Sequence, residues 1–306
     1  MILTKFSKLH EAITKTKRVG IQHLNKMKPM DFLNLVKVLK DELGGKISDS
    51  NASVTLKVDG FGCRFGLDAD NGFFLESSNS GPQYKPKSFS QYTINRKGKA
   101  DKISIAYDEL FDSLSKNKKL ISVLKKNNTD SGIKIVSECL YAPIGKKDKG
   151  TIKFVAINYD SAKLGKIATL VLIKAQDGHG TELKGSVIKD IKGLSTNDYL
   201  FTDPSTSIDS VDLNVQIQDV LKFVSKYPDF EQKILSRKHA DRELKTLLQD
   251  TIAGYQEKMS KKILKAIVSA KFGSEFEGIV IKLSNGTVFK TIHSDFSNAI
   301  KHRPKG

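Results

Sequence analysis

A nucleophile pattern stands at residues 57–60, where Lys57-Val58-Asp59-Gly60 follows a short apolar run. A lysine amine that has lost its proton can attack the α-phosphorus of a nucleoside triphosphate, which would join the nucleotide to the lysine and release pyrophosphate. Cations aimed at the phosphoryl oxygens would carry most of that catalysis. The pattern alone is weak evidence, because ordinary residue frequencies give it in roughly one chain of this length in ten.

Further residues with compatible chemistry follow the lysine in a fixed order along the chain. They are Glu138 in Ser-Glu-Cys-Leu-Tyr, the aromatic residue Phe154, the run Glu277-Gly278-Ile279-Val280-Ile281-Lys282, and Lys290. This order is far harder to obtain by chance than any single member of the set. We therefore interpret the set as one candidate site.

The acidic and small residues of the set have separate expected tasks. Asp59 would share a face with Lys57 if both lay on a strand, and Gly60 would let the backbone turn close to the nucleotide. Glu138 suits a bond to a ribose hydroxyl or to a metal ion, and Glu277 would be a second carboxylate directed at the metal.

The remaining members would contact the phosphates and the base. Lys282 and Lys290 are expected phosphate contacts, and a hairpin turn between them would bring their strands side by side. Phe154 suits stacking on the base, with Tyr159 as the alternative platform. His179, in Gly-His-Gly, has no evident partner, and we interpret it as a loop residue.

The charge of the chain indicates a polyanionic partner. The 306 residues carry 51 basic and 34 acidic side chains, a formal net charge of +17. Nucleic acid is the usual partner for such an excess. An anionic membrane surface is the alternative, but no single basic amphipathic helix dominates the charge. No apolar run approaches 18 residues, so we expect no membrane span.

The cysteines and the first residues bear on the compartment. Cys63 and Cys139 are too few for a metal site or a disulfide framework, and we interpret both as reduced packing residues of a cytosolic protein. Residues 1–18 lack the apolar core of a secretory signal. We expect a cytoplasmic protein, in the host cytoplasm if the source is viral, and a monomer is the simplest expectation.

The elements that must position the site follow from periodicity and turn residues. We predict helices over 4–17, 29–43 and 103–126, and strands over 54–58, 63–67, 73–76, 133–140, 151–159 and 167–173. Residues 175–210 look rich in loops, and 211–272 mostly helical, with 239–271 as one long helix. Strands over 276–283 and 287–292 and a short helix over 295–301 close the chain. The pattern predicts an α+β fold with an antiparallel-rich sheet.

The motif set resembles the covalent nucleotidyltransferase superfamily, which contains ATP-dependent DNA ligases, RNA ligases and mRNA capping enzymes. Lys57-Val58-Asp59-Gly60 is similar to the family's first motif, Ile135 to Glu138 to its third, Glu277 to Lys282 to its fourth, and Val288 to Lys290 to its fifth. Phe154 is the best match to the aromatic motif. The resemblance implies an adenylation domain over 1–306, with N-terminal helices over 1–45 and a helical insertion over about 211–272. It also implies ATP and Mg²⁺ as cofactors, with AMP carried on Lys57.

Several positions depart from the family pattern. Arg64 stands seven residues after Lys57, whereas the family's arginine in this region stands five residues after the lysine. Asn79 lies where many RNA ligases have an arginine, and Ile292 takes the place of a second lysine in the fifth motif. Sixteen residues follow Lys290, which is too few for the OB-fold domain of DNA ligases and capping enzymes.

These features lead to one expected function and three alternatives. The expected function is an ATP-dependent polynucleotide ligase that joins 5′-phosphate to 3′-hydroxyl ends, most like a bacteriophage RNA ligase. A compact DNA nick ligase is the first alternative. A nucleic-acid-binding or structural protein that keeps the fold without turnover is the second, and a capping guanylyltransferase ranks below both. The insertion over 211–272 is the candidate for recognition of the ends.

Overall fold

The computed structural model describes residues 21–77, 102–141, 159–236, 238–268 and 276–293. The strands are β1 (Gln22–His23), β2 (Lys46–Ile47), β3 (Ala52–Lys57), β4 (Phe61–Leu67), β5 (Phe73–Ser77), β6 (Ile133–Tyr141), β7 (Ala168–Asp177), β8 (Tyr199–Thr202), β9 (Ser205–Thr206), β10 (Val211–Asp212), β11 (Gly278–Leu283) and β12 (Val288–Ile292). The α-helices are α1 (Pro29–Asp41), α2 (Lys102–Ser115), α3 (Lys118–Lys126), α4 (Val187–Lys192), α5 (Asn214–Ser225), α6 (Phe230–Leu235) and α7 (Arg242–Leu264). No helix in this part of the chain is long and apolar enough to cross a lipid bilayer.

The described residues form two compact units. The first unit contains residues 21–54, 207–236, 238–268 and 278–293, and the second contains 55–77, 102–141, 159–206 and 276–277. Strand β3 begins in the first unit and ends in the second. The predicted α+β fold with mainly antiparallel strands is confirmed, because all strand pairs with a described register are antiparallel except β1 with β12 and β7 with β8.

The first unit combines a small sheet with the helical segment. Strands β1, β12 and β11 lie side by side, and the start of β3 follows β11. Helix α7 packs against α1, α5, α6 and β12, and the Gln256 side-chain amide donates a 2.8 Å hydrogen bond to the Met27 carbonyl. The prediction of a mostly helical stretch over 211–272 is confirmed by α5, α6 and α7. Its long helix is shorter than expected, 242–264 instead of 239–271.

The predicted hairpin near the end of the chain is confirmed. Gly286 has a φ of +88°, which a glycine adopts without strain, and the turn closes with a 2.8 Å bond from the Leu283 amide to the Thr287 carbonyl. Val280 pairs with Lys290, and Lys282 pairs with Val288. The two lysines therefore lie diagonally on one face of the hairpin.

The second unit is a five-stranded sheet in the order β5-β4-β6-β7-β8 with helices on one face. Alternate residues of the central strands point into one apolar core together with α2, α3 and α4, as expected for a sheet covered on that side. The core includes Cys63, Phe65, Leu75, Ile133, Ile135, Leu110, Leu120, Leu124 and Ile191. The opposite face carries the intervening residues of β4 and β6, and among these are the charged side chains discussed below.

One prediction of local structure in this unit was wrong, and another was incomplete. The single helix predicted over 103–126 is two helices, because the Asn117 side chain accepts a 3.1 Å bond from the Leu120 amide and caps α3 as a new start. The stretch 175–210 is more regular than predicted, since it contains α4, β8 and β9. The predicted helices over 4–17 and 295–301, and the predicted strand over 151–159 apart from its last residue, lie outside the described residues.

Candidate active site

Lys57 forms an ion pair with a residue 220 positions further along the chain. Its Nζ donates a hydrogen bond to Oε2 of Glu277, and the two side chains are 28% and 4% exposed. A nearly buried carboxylate requires such a partner, since an isolated buried charge is costly. The first and fourth motifs of the sequence are therefore in direct contact at their lysine and glutamate.

Asp59 is held by a tyrosine. Strand β3 ends at Lys57, so Asp59 follows the strand and does not share a strand face with the lysine as predicted. The Asp59 backbone amide donates a 2.7 Å hydrogen bond to the Tyr159 hydroxyl oxygen, and the Asp59 residue is 6% exposed. Burial raises the pKa of the Tyr159 phenol well above its usual range, so this hydroxyl keeps its proton. Tyr159 therefore anchors the backbone just after the lysine.

Gly60 is required by a neighbouring strand. A Cβ built at this position would lie 2.6 Å from the carbonyl oxygen of Cys139 on β6, and real Cβ atoms do not approach a backbone oxygen so closely. The structure thus gives Gly60 a packing role against β6, and its predicted role of making room for a nucleotide stays a prediction.

Glu138 occupies the face of β6 opposite the helices. It lies across from Gly62 on β4, so no side chain on that strand covers it. Burial raises the pKa of its carboxyl group from 4.5 to about 7, Lys57 opposes the rise, and the negative charges of Glu277 and Asp59 add to it. These effects place Lys57, Asp59 and Glu277 near Glu138 in one electrostatic cluster. The roles that the sequence motifs assign to these residues stay predictions.

The same cluster bears on the predicted metal ion. Within the described residues no group of three or more histidine, cysteine, aspartate or glutamate side chains is arranged to hold a metal. Asp59, Glu138 and Glu277 nevertheless bring three carboxyl groups near Lys57, and carboxylates are the ligands that a divalent cation such as Mg²⁺ prefers. Glu138 suits a ligand role in this arrangement, while Glu277 is engaged by Lys57.

A second group of charges shares this sheet face. The sequence singled out its Arg64 as a candidate nucleotide contact, but not Glu76 or Lys134. Arg64 stands directly across from Glu76 on β5, and Lys134 Nζ lies 3.6 Å from Glu76 Oε2. Lys134 also lies 5.9 Å from the centre of the Phe74 ring. The residue pattern offered no signal for Glu76 and Lys134, because they belong to two strands that are separated by more than fifty residues. Arg64 and Lys134 add positive charge to the face that carries Glu138.

Other predicted site residues are not tested by this geometry. Lys282 is exposed and Lys290 half-buried on the β11–β12 hairpin of the first unit. Phe154 and Asn79 lie outside the described residues. Ile292, which stands in place of a family lysine, is 3% exposed and pairs with Gly278. The phosphate role of the two lysines therefore stays a prediction.

No protein-family model and no curated protein matches this chain. Among solved structures, the chain is similar to a Naegleria gruberi RNA ligase with PPi, at a TM-score of 0.41 and 14% identity. Mutants of that ligase with ATP and Mn, and with AMP and Mn, give TM-scores of 0.40 and 0.41 at 12% and 13% identity. Each match covers 94% of this chain, which spans 58–59% of the length of those ligase chains. At these TM-scores the similarity assigns neither a family nor an activity.

Proposed function

We propose that this chain is an ATP-dependent polynucleotide ligase that works through a covalent lysyl-AMP at Lys57. The observation that supports the proposal most is the clustering of Lys57, Asp59, Glu138 and Glu277, which come from three motifs spread over 220 residues of sequence. An ion pair that only stabilised the fold would need Lys57 and Glu277 alone, without Asp59 and Glu138. The two further carboxyl groups raise the electrostatic cost of the cluster and thus favour a functional reason for it.

The first step would be attack of Lys57 Nζ on the α-phosphorus of ATP. The N–P bond forms, the bond from phosphorus to the bridging oxygen breaks, and pyrophosphate leaves. The amine must lose a proton in this step, and Glu277 is placed to receive it because its Oε2 already accepts the Nζ hydrogen bond. Tyr159 and Gly60 would keep the backbone after Lys57 fixed, so the amine stays in line for attack.

Positive charge around the phosphates would come from several side chains. Lys282 and Lys290 are the proposed phosphate contacts, and Arg64 is a third candidate on the face that carries Glu138. Glu138 would bind the ribose hydroxyl or a metal ion. Mg²⁺ or Mn²⁺ bound there would neutralise charge on the phosphate oxygens. Glu277, the other carboxylate expected to bind a metal, is instead paired with Lys57 and proposed as its base. Stacking on the base is proposed for Phe154, with Tyr159 as the alternative platform.

Two further transfers would complete ligation. The adenylate would pass from Lys57 to the 5′-phosphate of a polynucleotide, which breaks the N–P bond and forms a pyrophosphate link. A 3′-hydroxyl would then attack that 5′-phosphate, form the phosphodiester and release AMP. The excess of positive charge suits binding of the sugar-phosphate backbone without sequence preference. RNA ends are the proposed substrate, as expected from the sequence, and DNA ends are the alternative.

Incubation with α-labelled ATP and Mg²⁺, followed by denaturing electrophoresis, tests this proposal. We expect a label that survives denaturation, is absent with labelled GTP, and disappears in Lys57→Ala. Lys40→Ala, which removes an exposed lysine of α1, is the matched control and should keep the label. If no label forms with ATP and Mg²⁺ or Mn²⁺, the ligase proposal fails and a non-catalytic nucleic-acid-binding protein becomes the better account.

Sealing assays then separate the substrates. We expect joining of single-stranded RNA ends at a higher rate than sealing of a nick in duplex DNA. The reverse preference would select the compact DNA nick ligase instead.

A further inference from the structure

Helix α3 exposes a face of uncompensated lysines. Its nine residues are Lys-Lys-Leu-Ile-Ser-Val-Leu-Lys-Lys, and the exposed positions include Lys118, Lys119, Lys125 and Lys126. The helix contains no acidic residue. Lys116, just before the helix, pairs with Asp112 at 2.5 Å. For the four lysines of α3, no carboxylate lies within ion-pairing distance in the part of the chain that the structure describes.

The first turn of this arrangement works against the stability of the helix, whereas Lys125 and Lys126 in the last turn suit the helix dipole. Lys118 and Lys119 occupy the first turn, where the helix dipole favours acidic side chains and disfavours cations. Neighbouring lysines also repel each other, and no acid one turn away relieves the repulsion. The Asn117 cap and the burial of Leu120 and Leu124 maintain the helix despite these effects. A binding partner with negative charge would relieve both.

The lysine face is separate from the candidate active site. Leu120 and Leu124 pack into the core on the helix-covered side of the sheet, together with Cys63 and Ile135. Glu138 lies on the opposite side of the same sheet, since its strand alternates inward and outward side chains. A segment of a molecule that contacts α3 therefore lies on the other side of the sheet from Glu138.

We infer that the exposed lysines of α3 bind the sugar-phosphate backbone of a polynucleotide at a distance from the reacting end. The inference rests on the proposed function for the identity of the polynucleotide as substrate. Lysines act as point charges on phosphates and read no sequence, so this surface would add affinity for long strands regardless of sequence. A short oligonucleotide that occupies the active site would gain nothing from it.

Charge reversal tests the inference. The α3 variant changes Lys118, Lys119, Lys125 and Lys126 to glutamate, and a second variant changes them to glutamine. The control variant changes four exposed lysines of the first unit to glutamate, namely Lys26, Lys28, Lys37 and Lys40, so that its net charge equals that of the α3 glutamate variant. Binding of a long fluorescent single-stranded RNA is measured without ATP over a range of salt concentrations.

We expect the α3 glutamine variant to reduce the slope of log K against log salt by up to about 3, because each lost phosphate contact removes about 0.7 for a single strand. Affinity at physiological salt should fall by tenfold to about a hundredfold. The glutamate variant should bind more weakly still, and the control should bind within about threefold of the parent. Equal weakening in the α3 glutamate variant and the control would reduce the effect to net charge and overturn the inference.

Two further measurements keep the outcomes distinct. Thermal unfolding should show the glutamine variant close to the parent in stability, because the lost repulsion between lysines is offset by the lost favourable charges of Lys125 and Lys126 in the last turn. Self-adenylylation should be unchanged in both α3 variants. Absence of self-adenylylation in the parent would refute the ligase proposal and leave the RNA-binding result to be judged alone. If anionic phosphatidylserine vesicles bind through these lysines and the long RNA does not, the surface serves a membrane and the inference is wrong.

Discussion

Replacement of Glu138 by glutamine should stabilise the free protein in buffer without divalent metal. Burial, Glu277 and Asp59 together raise the pKa of the Glu138 carboxyl group from 4.5 to about 7 despite the opposing effect of Lys57. At 1.36 kcal/mol for each pH unit, this difference corresponds to a penalty of about 3 kcal/mol for the ionised group in the folded state. Part of that gain is lost when a neutral amide is buried, so we expect about 1–3 kcal/mol at pH 8.

The sign of the pH dependence follows from the raised pKa. Above pH 7 the group is ionised in both folded and unfolded protein, and the full penalty is present. Between pH 7 and 4.5 the folded protein keeps a proton that the unfolded chain has lost, so the penalty shrinks as the pH falls. Below pH 4.5 both states are protonated and the advantage of Glu138→Gln should vanish.

Urea unfolding at several pH values between 4 and 8 measures this effect. Glu109→Gln, at an exposed position of α2, is the matched control and should change stability by less than about 0.5 kcal/mol. Glu138→Gln should also slow self-adenylylation, because the charged carboxylate that costs stability is the group proposed to bind the ribose or the metal ion. A stability difference that is absent at pH 8, or that does not change with pH, would refute the assignment of Glu138 to the charged cluster.

Three further changes test the support of the site. Tyr159→Phe removes the acceptor of the hydrogen bond from the Asp59 amide, so we expect a stability loss of about 1 kcal/mol and slower self-adenylylation at saturating ATP. An unchanged rate would contradict the anchoring role of Tyr159. Gly60→Ala should lower the free energy of unfolding by about 1–3 kcal/mol and abolish the adduct, because its methyl group would clash with the Cys139 carbonyl. Gly254→Ala, at an open helical position, should raise the free energy of unfolding by up to about 1 kcal/mol. Equal effects of the two changes on stability would contradict the clash at Gly60. Burial raises the pKa of the Cys63 thiol to about 12 and that of the Cys139 thiol well above its usual value. Neither thiol should therefore react with a thiol reagent at pH 8 until the protein unfolds. Rapid reaction of the native protein would refute their burial.

The local structure of this chain was largely predictable from its sequence. Pro29 starts α1 and Gly44 follows its end, as expected for helix boundaries. The turns at Asp70-Asn71-Gly72 and around Gly286 join hairpins as predicted, and Asn71 has the positive φ of 61° that such turns require. These signals depend on neighbouring residues, so one sequence is enough to detect them.

The contacts within the candidate site were not predictable from the sequence. The order of motifs indicated Lys57, Asp59, Glu138 and Glu277, yet only the fold reveals which carboxylate pairs with the lysine. The bond from Asp59 to Tyr159 joins residues 100 positions apart, and no periodic pattern encodes such a contact. The reason for Gly60 was likewise hidden, because it depends on the backbone of β6.

The most direct test of the central proposal is to locate the modified residue. The protein is incubated with ATP and Mg²⁺, digested, and its peptides are mapped by mass spectrometry for a mass increase of one AMP. We predict a single modified peptide with the adduct on Lys57, which disappears when pyrophosphate in excess reverses the transfer. AMP on a different residue, or no AMP on any peptide with ATP and either Mg²⁺ or Mn²⁺, would contradict the assignment of Lys57 as the nucleophile.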